Sequence, residues 1–203
     1  MSRREADDRE NRTRGARAAP PALGPGDCPL EALREVHFLQ RQICRDLEVL
    51  AETRVPRAAL ARGVLLNLCR DLPLHHADED HDLFPLLRKR AEPEDEIDPL
   101  LDRLSADHSR DAGQRPPLLA ALACLADGAL PAPEDRVALL ALAQSERRHM
   151  TIENAIVLPL ARARLTDEDR THLMAAMAAR RDAPLAAEGP CRKILAEVLG
   201  LAP

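Results

Sequence analysis

An all-α chain, built as an antiparallel up-down four-helix bundle with a short additional C-terminal helix, is what this sequence predicts. Apolar residues recur at 3-and-4 spacing from about residue 30 to 180, the pattern of helices that bury one face. No segment alternates with the period of a strand. Among 203 residues there are two Phe, no Tyr and no Trp, a poor stock for sheets, which favour aromatic and β-branched residues. The same scarcity excludes base-stacking platforms and aromatic cages. A net charge of −5 argues against a protein drawn to nucleic acid by an overall positive field.

Residues 1–29 are charged, then rich in Pro, Gly and Ala, and read as a disordered tail with too little apolar surface to order itself. The bundle is expected over residues 30–181. The first helix runs from Leu30 to Arg54 and stops before Pro56, with Leu33, Val36, His37, Gln40, Ile43, Cys44 and Leu47 on one face. The second runs from about Pro56 to Arg90, with Ala61, Leu65, Leu68, Leu72, His75, Glu79, Leu83 and Leu86 inward. Pro73 and Pro85 interrupt it and predict kinks. The third starts near Ile97 and carries Leu101, Leu104 and His108, and Pro116 and Pro117 predict a break or bend. The fourth spans about Pro133 to Leu165, with Leu142, His149, Ile152, Glu153, Ile156 and Leu160 on one face. A shorter helix follows Thr166, a good N-cap, to about Arg180. Residues 182–203 form a tail with room for one short helix from Cys191 to Leu199.

No run approaches the roughly 18 apolar residues of a membrane span, and the N-terminal residues lack the apolar core of a secretory signal. The chain therefore reads as cytoplasmic. Its five cysteines are an odd number, widely spaced and without a CxxC pair, which favours free buried thiols over a disulfide framework.

The chemistry sits in the histidines. Four of seven, His37, His75, His108 and His149, fall on inward faces. His75 is followed by Glu79 and His149 by Glu153, and residues at i and i+4 share a helix face. HHADEDHDLFPL and HMTIENAIVLPL align without gaps: His, Glu at +4, an aliphatic at +8, Phe or Leu at +9, Pro at +10, Leu at +11. The repeat extends backwards, since His37 lies 38 residues before His75 and His108 lies 41 before His149. Each half is a helical hairpin that supplies one His and one HxxxE pair. Two such hairpins present four imidazoles and two carboxylates to a bundle interior, the logic of di-metal carboxylate bundles. Each of two metals would take two imidazoles, with the carboxylates shared and a solvent-derived oxo or hydroxo bridge. Such mixed ligation suits iron, manganese or zinc.

Other residues weigh less. His76 and His81 lie about 100° and 240° round the helix from His75 and face solvent or a neighbouring helix. Asp78 and Asp82 are either acceptors for an imidazole N–H or a solvated acidic run. Asp107 and His172 read as surface residues, and Cys44 as a packing thiol. No Ser–His–Asp pattern, phosphate loop or zinc-ribbon spacing is present.

On these motifs the chain resembles the hemerythrin-like, or HHE cation-binding, family. The resemblance covers about residues 30–180 and rests on the lone His37, HHADEDHDLFP, the LSADH segment ending at His108, and HMTIENAIVLP. It implies His37, His75, Glu79, His108, His149 and Glu153 as ligands to two non-haem iron ions. Oxygen carriers of the family have a second His four residues after the third-helix His and an Asp five residues after the last ligand His. Here those positions are Ala112 and Asn154. The four-His, two-Glu set looks more like the di-iron proteins linked to nitric-oxide stress and iron–sulfur repair. Their additional N-terminal domain and cysteine motif have no counterpart here. The implied function is binding of O2, NO or a related small oxidant, for sensing or a redox stress response. The expected partner is a small diatomic or peroxide ligand, with neither nucleic acid nor membrane. The alternatives are a di-iron enzyme that reduces peroxide or NO and an iron-handling interaction module. The first reading predicts reversible gas-dependent spectra, the second repeated turnover with a reductant, the third metal-dependent stability alone.

Overall fold

The computed structural model describes residues 28–183 and 189–199. The expected disordered tail thus lies outside the described residues except for Cys28 and Pro29. Cys28 caps α1 (Pro29–Glu52), whose first position is held by a proline, the site where a missing N–H costs nothing. Next come α2 (Ala58–Leu66), α3 (Leu72–Asp78) and α4 (Phe84–Arg90), joined end to end by π turns at Asn67–Asp71 and Glu79–Leu83. A short 3-10 turn, Pro93–Asp95, leads to α5 (Asp98–Ala126). α6 (Pro133–Ile152) continues through a π turn, Glu153–Val157, into α7 (Leu158–Arg164). α8 (Asp167–Asp182) and α9 (Gly189–Leu199) follow. Four long helical segments and two shorter ones therefore make up an all-α bundle, with no strand among the described residues.

The prolines interrupt or occupy their helices without ending them. Pro73, Pro85 and Pro159 each follow a π turn directly. The residue before each proline donates its N–H to the carbonyl five residues back: Leu72 to Asn67, Phe84 to Glu79, Leu158 to Glu153. A proline clashes with the carbonyl four residues back, and one wider turn relieves the clash without ending the helix. The extra residue shifts the register that follows. Ile156, expected inward, is 46% exposed, and Val157 is fully buried in its place. Pro116 and Pro117 do not end α5. The carbonyls they orphan belong to Ala112 and Gly113, both exposed and so open to solvent in place of the lost hydrogen bonds.

The apolar interior is divided. One cluster joins Leu47, Leu50, Leu65, Leu68, Leu122 and Leu139. The other joins Leu33, Phe84, Leu101, Leu104, Val157 and Met177. Between them lie the buried polar residues His37, Gln40, His75, Glu79, His108, His149 and Glu153. The two short helices each roof one cluster. α8 lays Leu173, Met174 and Met177 on the second, and α9 lays Ile194 and Leu195 on the first.

Both roofs are tied down. On α8, Thr166 and Asp169 form a capping box, and Asp169 also receives Arg90 Nε and Nη2 at 2.7 and 3.0 Å. Asp78, fully buried, accepts hydrogen bonds from Arg180 and from Arg181, the latter at 2.6 Å, and Asp82 accepts from Arg180. α9 is held by a disulfide between Cys69 in the first π turn and Cys191, 122 residues apart in sequence. This overturns the expectation of five free thiols. Spacing alone did not reveal the pair because the docking of α9 creates it. Cys28, Cys44 and Cys124 are free.

Two outcomes are expected. A disulfide that closes so long a loop stabilises by about 2–4 kcal/mol, so reduction or Cys191→Ser should lower the denaturation midpoint accordingly in urea titrations. The Arg90 fork, with Thr166, holds the Asp169 carboxyl well below the usual range. A carboxylate whose folded pKa is depressed stabilises above its unfolded value, about 3.9, and loses that contribution as pH falls. Asp169→Asn should therefore lower Tm at pH 7, and the gap should narrow in melts below about pH 3.9.

Candidate metal centre

The divided core places six buried donors at one level of the bundle. His37 comes from α1, His75 from α3, His108 from α5 and His149 from α6. Glu79 and Glu153 are the first residues of the two π turns that precede Pro85 and Pro159. All six are at most 6% exposed, and His37, Glu79 and Glu153 are fully buried.

They converge in two overlapping quartets. One is His37, His75, Glu79 and Glu153, the other Glu79, His108, His149 and Glu153. Within each, the candidate ligand atoms lie within 4.8 Å of one another, so that small side-chain rotations bring them to a common centre at bond lengths of roughly 2.0–2.2 Å. Both carboxylates belong to both quartets. Glu79 Oε1 is 3.7 Å from His37 Nε2, and its Oε2 is 3.6 Å from His75 Nε2 and 3.5 Å from His108 Nε2. Glu153 Oε2 is 3.4 Å from His37 Nε2, and its Oε1 is 2.8 Å from His149 Nε2. His108 Nε2 and His149 Nε2 stand 2.8 Å apart.

The polar accounting inside this cluster does not close with protein groups alone. Both oxygens of Glu79, both of Glu153 and both ring nitrogens of His37 are buried with no well-aligned hydrogen-bond partner. Leaving such groups unpaired costs about 1–3 kcal/mol each, more when charged. Burial and the nearby Glu153 push the Glu79 carboxyl well above its usual range. Burial also acts on Glu153, but His149 outweighs it and holds that carboxyl below the usual range. Burial lowers His37 and His75 and keeps them neutral, with lone pairs free to ligate. Acceptor-rich and charge-poor, the donor set fits a cation.

The residues around the quartets differ from the sequence reading in three ways. Asp78 and Asp82 turn to Arg180 and Arg181 and do not reach an imidazole. Asp80 does: His108 Nδ1 donates to its Oδ2 at 2.9 Å, and Ser105 Oγ donates to its Oδ1 at 2.6 Å. Burial raises the Asp80 carboxyl, but these two hydrogen bonds outweigh it and leave the group below its usual range. An ionised carboxylate only accepts, so the proton sits on Nδ1 and Nε2 is left to ligate. His76 does face a neighbouring helix, but as a buried ring stacked on His108 at 3.9 Å. Asp107 lies 3.9 Å from His149 Nδ1 and pairs with Arg110. His81 and His172 are exposed, as expected. Cys44 packs in the first apolar cluster, where burial pushes its thiol up to about 12, so it is an inert core residue.

The family model of the hemerythrin HHE cation-binding domain matches residues 28–161, a span that contains both quartets. No curated protein and no solved structure matches the chain.

Glu79→Gln and Glu153→Gln keep the shape of each side chain but replace a carboxylate that could hold a cation with a neutral amide. Glu79→Gln should leave the metal-free protein folded and at least as stable in thermal melts, because its carboxyl is uncharged there, and both variants should lose metal by elemental analysis. A large fall in metal-free stability with metal content kept would contradict this account.

Proposed function

The chain belongs to the hemerythrin HHE cation-binding family, and from that premise we propose that it holds two non-haem iron ions and binds O2, NO or a related small oxidant. His37, His75, Glu79, His108, His149 and Glu153 are the proposed ligands. The observation that carries this reading is the pair of overlapping quartets with both carboxylates in common. Each half of the sequence repeat supplies one carboxylate, and each quartet takes its imidazoles from two helices. When bound, an iron pair supplies reversible electron transfer and coordination positions for a small ligand.

The chain's own residues do the rest. The four imidazoles and two carboxylates compensate cation charge inside a low-dielectric layer. The apolar clusters above and below exclude bulk water from that layer. Asp80 holds a proton on His108 Nδ1 and keeps its Nε2 turned to the site.

Purified protein reconstituted anaerobically with ferrous iron should carry about two irons per chain. Its optical spectrum should change reversibly with O2 or NO. His75→Ala and Glu153→Ala should lower metal content sharply, and His172→Ala should not. Repeated consumption of peroxide or NO with a reductant would make it an enzyme. Metal without any gas response would make it an iron-handling module, and folded protein that takes up no metal would overturn the reading.

A further inference from the structure

The four candidate imidazoles are not held alike. His37, His75 and His149 each have a buried Nδ1 with no well-aligned hydrogen-bond partner. Only His108 has its Nδ1 engaged, by Asp80 at 2.9 Å. The His108 ring is also enclosed on its faces. His76 stacks on it at 3.9 Å with 14° between planes, and Phe84 lies near-parallel at 6.0 Å and 11°. His76, Asp80 and Phe84 are spaced four apart in one segment, so a single stripe of the second long helical segment grips one ring of α5. The sequence repeat puts Met150, Asn154 and Leu158 at the corresponding positions of the other half. There the amide of Asn154 donates to the Met150 carbonyl at 2.6 Å, so His37 has a neutral amide as its neighbour where His108 has a carboxylate, and no well-aligned hydrogen bond reaches either of its nitrogens. The two halves share their ligands and differ in what supports them.

We propose that His76, Asp80 and Phe84 are positioning residues that pre-orient His108, so that the metal position shared by His108 and His149 fills first and binds more tightly than the one at His37 and His75. This rests on the metal-pair reading above. An imidazole whose distal N–H is bonded to a carboxylate is a fixed tautomer and a stronger donor, and losing such a partner typically costs 10–100-fold in metal affinity. A ring already held by stacking also loses less freedom when it ligates.

The test is a stepwise cobalt(II) titration of metal-free full-length protein, followed by the visible ligand-field spectrum and competition with a chelator. Wild type should show two resolved steps. Asp80→Ala should weaken the first by roughly 10–100-fold and leave the second in place, with far-ultraviolet circular dichroism unchanged. His76→Ala should weaken the same step, and His76→Phe, which keeps a stacking ring but no imidazole, should restore it. Two positions that fill together in wild type, or an Asp80→Ala titration like wild type, would overturn this inference alone. Wild-type protein that binds no cobalt would overturn the metal-pair reading and this inference with it.

Discussion

Everything in this bundle is arranged around two carboxylates buried beside each other among four imidazoles. Glu79 and Glu153 are fully buried, and their oxygens have no well-aligned hydrogen-bond donor. A charged carboxylate in an apolar interior is unstable unless paired, bonded or coordinated. Four helices must therefore meet at one level with their nitrogens turned inward. The apolar core is split in two by that level, and each half must be closed separately. That is the work of the two short helices: α8 over one cluster and α9 over the other.

The prolines explain how a regular helix delivers these carboxylates. In each copy of the repeat the proline stands six residues after the Glu. It forces a π turn that opens at the Glu, and the Glu carbonyl takes the hydrogen bond from five residues on. π turns inside α-helices are uncommon and gather at functional sites. Here candidate ligand and distortion are written in the same twelve residues. Asn67–Asp71 before Pro73 shows that the turn forms without the HxxxE motif, although Pro116 and Pro117 lie in α5 without one. No histidine precedes it at the matching distance, and it serves instead to present Cys69 to α9.

The ties between elements are mostly ionic and depend on side chains far apart in sequence. Arg180 and Arg181 neutralise the buried Asp78, and Arg90 grips Asp169 with two parallel hydrogen bonds. Such fork-to-carboxylate pairs combine charge with fixed geometry. The clamp on Asp78 lies one residue from Glu79, so α8 braces the segment that carries half of the site. Asp78 and Asp80 flank that glutamate and turn in different directions, one to a roof helix and one to the His108 ring.

The sequence by itself determined what depends on residues near one another along the chain. Helix positions followed from apolar periodicity, the cap of α8 from Thr166, and the six donors from a doubled HxxxE motif with a lone His before each copy. Those features are local, or repeat at a fixed interval, and helix geometry converts interval into direction. Tertiary structure decided what depends on how faces meet. Ile156 and Val157 exchanged places because one π turn moves the register by a residue. Cys69 and Cys191 paired because α9 docks where it does. Asp80, not Asp78 or Asp82, met an imidazole because the stripe at 76, 80 and 84 faces α5 while Asp78 and Asp82 face α8. His76 became part of the site for the same reason. A helical sequence states which residues share a face. Which neighbour that face meets is set only by packing, where burial, charge and the reach of side chains are satisfied together.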